Sequence, residues 1–307
     1  MAHGWLRALS RLLVPIECPG CGCPDTSLCG ACAGLLAGPP SRREADAPRL
    51  DRMDGAGPLP VWALAPYAGP LRGVVVAWKD KGRHDLSRVL DGAAYRAART
   101  ALVPWVRATL AAASASASAP APAHERDGPW RVLVVPAPSS AGARRARGAE
   151  PVQGLARAVA RALGDAGLDA RAAPVLAQRG RDQVGLGARL RGARLGEVRT
   201  SRRAARAGLP GRGSACLLVD DVLTTGATLA ACERALEDGG AWVLGALVLA
   251  ATPPPRAGAT REVHLSKMLP LPGGRVNLGT SRHGERLVGD PCGHRAIDPR
   301  QGPRAGR

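Results

Sequence analysis

ACLLVDDVLTTGATL, residues 215–229, is the most informative run in the chain. Cys216–Val219 predicts a buried strand, with Asp220 and Asp221 at its carboxyl end. Leu223, Thr224, Thr225, Gly226, Ala227 and Thr228 then predict a tight loop running into a helix. Such a loop suits a phosphate. Backbone amides at a helix N-terminus point at an anion, glycine allows close approach, and threonine hydroxyls add donors. A simple helix cap needs one acid and no threonine-rich loop, so an ordinary strand–turn–helix explains the run less well. The two carboxylates can accept hydrogen bonds from vicinal sugar hydroxyls. A phosphate at one end and a diol at the other describe a ribose 5-phosphate.

Outward from this run, the flanking segments alternate between strand and helix patterns. A helix over Ala227–Leu236 and a strand over Trp242–Ala250 follow it. Before it, Trp130–Val135 predicts a strand that delivers Pro136, Pro138, Ser139, Ser140, Arg144, Arg145 and Arg147-Gly148. Small hydroxyl residues and arginines at a strand end fit either an anion site at the carboxyl edge of a sheet or an ordinary basic loop. A helix over Glu150–Leu163 ends at Gly164, and a strand is expected near Ala173–Ala177. Earlier still, Val61–Tyr67 predicts a strand and Pro70–Trp78 a helix ending in Lys79-Asp80-Lys81. Leu86–Val106 reads as a helix interrupted at Pro104. The pattern predicts an α/β domain over residues 59–251, a parallel sheet flanked by helices. The low-complexity Ala/Ser/Pro segment 111–129 reads as a disordered surface insert within it.

Two of the chain's three lysines, Lys79 and Lys81, fall at one helix end in a sequence that otherwise uses arginine. That favours a specific role for Lys79, although cations at a helix C-terminus are also favoured by the dipole. From Ser139 to Arg212 there are 16 arginines and 5 acids. This region fits a pyrophosphate clamp, a nucleic-acid track or a solvated surface.

Residues 1–38 predict an N-terminal helix and a metal module. Trp5, Leu6, Leu9, Leu12 and Leu13 share one helical face, better suited to packing on the protein than to a membrane. Cys18-Pro-Gly-Cys21 and Cys29-Gly-Ala-Cys32 form two C-x-x-C knuckles, and four thiolates can enclose a structural Zn²⁺ tetrahedrally. Cys23 is surplus and can compete as a ligand. Residues 39–58 lack apolar periodicity and read as a linker. Residues 252–307, with ten basic and four acidic side chains, read as a disordered basic tail in which Cys292 and His294 are too isolated for a metal site.

The totals restrict the function classes. The 307-residue chain carries a net charge of +18, with a pI near 11.1, which would ordinarily suggest a polyanion partner. With 43 Lys plus Arg, no Phe and much Ala, Gly and Pro, that charge reflects compositional bias across the whole chain. Aromatic residues at 3% argue against an extended base-stacking platform. Five of the eight cysteines lie between Cys18 and Cys32, which is metal spacing and not a disulfide framework. No apolar run reaches 18 residues and no signal peptide is evident, so the expectation is a cytoplasmic protein without membrane insertion.

The Asp220-Asp221 … Thr224-Thr225-Gly226-Ala227-Thr228 run resembles the 5-phosphoribosyl-1-pyrophosphate (PRPP) signature of type I phosphoribosyltransferases. With the Cys₄ knuckles, the Tyr67-x-Gly69-x-Leu71 … Lys79 block and the Pro136-x-Pro138 … Arg147-Gly148 block followed by Arg179 … Asp182-Gln183, the chain resembles the ComF (competence protein F) family. The resemblance covers roughly residues 10–251. Ala149 and Arg194 stand where the family commonly has an aromatic residue and an Asn. The resemblance implies a type I phosphoribosyltransferase-like fold and Mg-dependent transfer of a phosphoribosyl group to a nitrogen acceptor, with release of pyrophosphate. PRPP would lie on Asp220, Asp221 and Thr224–Thr228, and its pyrophosphate on Ser139, Ser140 and Arg147, with Lys79 assisting. The alternative is a non-catalytic PRPP- or nucleotide-sensing accessory of DNA uptake, acting through single-stranded DNA or competence and recombination proteins. Either could be a homo-oligomer.

Overall fold

The computed structural model describes residues 16–52, 54–115, 130–139, 150–178, 198–206, 209–210 and 214–254. In chain order the elements are helix α1 (Gly30–Gly34), strands β1 (Ser41–Arg42) and β2 (Val61–Pro66), and helices α2 (Gly69–Asp80), α3 (Ser87–Ala97) and α4 (Val103–Ala115). Strand β3 (Arg131–Pro136), helix α5 (Pro151–Gly164) and strands β4 (Asp169–Ala172), β5 (Leu176–Gln178) and β6 (Val198–Thr200) follow. The last four are α6 (Arg202–Arg206), β7 (Ala215–Leu223), α7 (Ala227–Glu237) and β8 (Trp242–Ala251). Apart from Pro254, the described residues belong to one compact unit that ends at Pro253.

Six strands form one sheet in the order β1-β2-β8-β7-β3-β4. All neighbours from β2 to β4 are parallel, and only the two-residue edge strand β1 runs antiparallel. Central parallel strands are covered on both faces, so they read as continuous apolar runs. β7 and β8 show this: each is buried along nearly its whole length. Side chains alternate across a strand. Accordingly Ala215, Leu217 and Val219 of β7 join one core with α2, α3, α4 and α5, while Cys216 and Leu218 join a second with α7.

These two cores fix where a ligand can sit. The chain leaves β3 through α5 on one face of the sheet and leaves β7 through α7 on the other. Adjacent parallel strands whose connections part to opposite faces leave a crevice at their carboxyl ends. Here that crevice lies between Pro136 of β3 and Asp220 of β7.

Three expectations change. The segment read as a linker over 39–58 is packed. Ser41 and Arg42 pair with Ala63 and Trp62, and Ala47 and Leu50 are fully buried. Its scattered apolar residues have no period because each makes a separate contact. The helix expected to break at Pro104 continues through it, and residues 98–102 widen into a π-helical turn just before. Proline lacks an N–H and its ring crowds the preceding turn, which a wider turn accommodates. Finally, α4 extends to Ala115, so residues 111–115 of the Ala/Ser/Pro segment are helical and not disordered. The expected N-terminal helix, residues 116–129, the stretches 140–149 and 179–197, and the tail from 255 lie outside the described residues. Among the described residues, no helix is long and apolar enough to cross a membrane.

Candidate functional site

The β7 strand does not stop before its acids. It runs on to Leu223 and holds Asp220 and Asp221 within the sheet, where Asp220 pairs in register with Val248 of β8. Alternation starts the two side chains from opposite faces of the strand, yet the carboxyls lie in contact and reach one cleft. Asp221 turns toward α2 and is buried, 2% exposed, with its Oδ2 2.5 Å from Lys79 Nζ. Asp220 turns toward α7, where burial and, after it, the Asp220 charge raise the Cys232 thiol. Local bonds hold both acids: the Asp221 N–H donates to Asp220 Oδ1 and the Val222 N–H to Asp221 Oδ1, each at 2.8 Å.

Burial and the neighbouring Asp221 carboxylate push the Asp220 carboxyl well above the ordinary range, against the lowering effects of the Asp221 N–H and Lys79. Burial works against the Lys79 ammonium, but the charges of Asp221, Asp220 and Asp80 more than offset it and raise its pKa. Lys79 thus serves as the standing counter-charge to an acid pair that would otherwise repel in a dry setting.

Both acids line a cleft of about 460 Å³ at the carboxyl ends of β2, β3 and β7. Thr224 and Thr228 form one wall, Ser139 and Pro138 another, and Tyr67 with Val75, Val76 and Lys79 a third. Gln178 and Val198, from the antiparallel pair β5–β6, overhang it. The cleft combines a helix N-terminus, hydroxyls, three acids and one ammonium. That set can take a phosphate at α7 and hydroxyl donors at the acids.

The loop itself is shaped by Gly226, whose φ of 81° lies in the left-handed region that favours glycine. Its carbonyl accepts the Ala230 N–H at 2.9 Å and so opens α7. The carbonyl of Thr225, a residue expected as a further donor, accepts the Arg49 N–H at 3.0 Å. Of the sequence candidates for this cleft, Asp220, Asp221, Lys79, Thr224, Thr228 and Ser139 come together. Ser140 and Arg147 lie outside the described residues. Gln178 and Asp80 were not singled out as site residues, although Asp80 follows Lys79 and Gln178 precedes Arg179 of the block that carries the resemblance.

The second constellation is the cysteine cluster. The sulfurs of Cys18, Cys21, Cys29 and Cys32 all lie within 4.8 Å of one another, an arrangement that can hold a metal ion. Cys29 Sγ is 3.7 Å from Cys18 Sγ and 3.5 Å from Cys21 Sγ, and it also accepts the Cys32 N–H at the start of α1. Burial raises the Cys18 thiol, but the backbone N–H groups of Cys29, Cys21 and Gly20 outweigh it and bring the group down to about 6. A thiolate is therefore available near neutral pH. Cys32 is pushed up by burial and by its thiol neighbours. Cys23 stands outside this group of four and uses its carbonyl to accept the Cys18 N–H.

This cluster is not a separate bead on the chain. Leu36, just beyond it, is buried in the main core, and Pro19 presses so closely on α2 that a Cβ at Gly73 would overlap its carbonyl oxygen. Arg83, held by Asp85 at 2.9 Å, donates to the carbonyls of Glu17 and Ser27 at 3.2 and 2.9 Å. The cysteine module therefore braces the helix that carries Lys79. Compared with models of known protein families the chain matches none, and no curated protein matches it.

Proposed function

We propose that the chain is a ComF-type phosphoribosyltransferase that binds PRPP in the cleft between β3 and β7. One observation carries the reading: Asp220 and Asp221 line the same cleft as Thr224 and Thr228, at the N-terminus of α7. The parallel sheet, with its connections parting at that crevice, supports a type I phosphoribosyltransferase-like fold.

On this reading the 5-phosphate sits at the opening of α7, where backbone N–H groups and the Thr224 and Thr228 hydroxyls donate to it. Asp220, facing the cleft, accepts from a ribose hydroxyl. Asp221 is held in place by Lys79 and the Val222 N–H and fixes the second hydroxyl. Ser139, which lines the same cleft, donates to the pyrophosphate. The C1–oxygen bond breaks with its electron pair leaving on pyrophosphate, and a nitrogen of the acceptor bonds to C1 as it loses a proton. Positioning and electrostatics supply the catalysis, with no covalent nucleophile on the protein. Among the described residues the cysteines are the one group of three or more potential ligands. On this reading Mg²⁺ enters as the counter-ion that PRPP carries.

Isothermal titration of Mg–PRPP into the metal-loaded protein tests the site. Saturable binding is expected in wild type, weakened at least about a hundredfold in Asp220→Asn/Asp221→Asn by loss of two charge-assisted acceptors. Folded wild type that takes up no PRPP would refute the reading.

We assign the cysteine cluster to a structural zinc ion. Tetrahedral Zn–S bonds of about 2.3 Å separate the sulfurs by roughly 3.8 Å, close to the observed 3.5 and 3.7 Å. Four protein ligands would leave no open position for chemistry. One equivalent of zinc is expected per chain by atomic absorption, and Cys29→Ser should lower both zinc content and thermal stability. Full zinc in that variant would argue against the assignment.

A further inference from the structure

The phosphate loop has a back wall, built by the segment that sequence patterning leaves featureless. Ala47 and Leu50 are 0% and 1% exposed, and neither lines the cleft. A Cβ placed on Gly226 would stand 2.6 Å from Leu50 Cγ and 3.2 Å from Ala47 Cβ. The adjoining Arg49 N–H holds the Thr225 carbonyl at 3.0 Å. Three residues on, the Arg52 guanidinium bridges to Glu233 and Glu237 of α7 at 3.1 and 2.8 Å. The segment thus grips the loop at Thr225 and Gly226 and grips the helix that the loop opens.

We propose that residues 47–52 are a positioning element for the phosphate loop, with Leu50 as the residue that sets the loop's shape and hence its affinity for a sugar phosphate. The inference rests on the phosphate role assigned to Thr224–Thr228. An anion loop binds through amides held at fixed angles, yet a loop turning on glycine is the most freely moving kind of backbone. Leu50 packed against Gly226 removes that freedom before the ligand arrives, and such preorganisation appears as affinity. Arg52 ties the same segment to α7, so loop and helix N-terminus are held as one piece.

The test is titration of ribose 5-phosphate into the full-length, metal-loaded protein, with melting temperature recorded for every variant. Leu50→Ala is expected to raise Kd about tenfold and Leu50→Met to restore it to within about twofold, because methionine refills the volume. Arg52→Gln, which leaves the packing of Leu50 on Gly226 intact, is expected to raise Kd about threefold. A Leu50 that only stabilises the fold would lower the melting temperature and leave Kd of the folded protein unchanged. That result, or a Leu50→Met as weak as Leu50→Ala, overturns the proposal. Should Leu50→Ala not fold, Arg52→Gln decides, and a wild-type Kd there overturns it. Wild type that does not bind ribose 5-phosphate overturns the phosphate reading itself, which these variants would otherwise leave standing.

Discussion

Gly226→Val is expected to destabilise the chain by roughly 3 kcal/mol and to abolish sugar-phosphate binding. Two independent costs meet at this position. With φ at 81°, a β-branched side chain is forced into the left-handed region, where L-residues pay about 1–2 kcal/mol. Its Cβ would also stand 2.6 Å from Leu50 Cγ, and overpacking of a filled core costs about 1–3 kcal/mol more. Relief requires the loop to move off Leu50, which turns its amides away from the cleft. Urea denaturation and ribose 5-phosphate titration read the two effects separately. Gly226→Ala should show the same signs at smaller size. A valine variant as stable as wild type would mean that the left-handed turn is not maintained.

Lys79→Met carries the second large effect. Removing one partner of a buried ion pair costs about 3–5 kcal/mol, because the other charge is stranded. The Lys79 side chain is 39% exposed, so solvent screening reduces the expectation to roughly 1–3 kcal/mol. Asp221→Asn alone should also destabilise, and the double variant should lose less than the sum, with a coupling of about 1–2 kcal/mol. The pH dependence has a definite sign. The folded pKa of Lys79 lies above its usual value, so its contribution is complete below the unfolded pKa and fades only as pH rises through the folded one. The Lys79→Met penalty should therefore be the same from about pH 7 to about pH 9. Additive single variants would mean that the pair contributes nothing as a pair.

Lys79 also shows how far residue type alone can lead. Its rarity in an arginine-rich chain marked it, as a cation for the pyrophosphate end. The structure shows its ammonium paired with Asp221 inside the cleft. The reason is strand geometry: adjacent residues of β7 face opposite sides of the sheet, so Asp221 meets α2 while Asp220 turns toward α7. A sequence motif writes the two acids as one unit. The sheet gives them different surroundings, Asp221 buried against Lys79 and Asp220 level with Val248, while both line the cleft.

Sequence alone determined the elements with a local cause. The apolar runs of β3, β7 and β8 signal buried parallel strands. Gly226 with its threonines signals a loop at a helix start, and the paired C-x-x-C knuckles signal four thiols closing on one point. Each depends on residues within a few positions of one another, where period and turn chemistry suffice. Tertiary structure alone decided what touches these elements from afar. Leu50 reaches Gly226 across about 180 residues of chain, Arg83 reaches the carbonyls of Glu17 and Ser27, and Gly73 yields its side-chain space to Pro19. Such contacts leave no periodic trace, because each arises from one close approach between segments whose own patterns are irregular. The cleft's acids and the Gly226 loop beside them were legible for the first reason. The brace of residues 47–52 behind the loop was not, for the second.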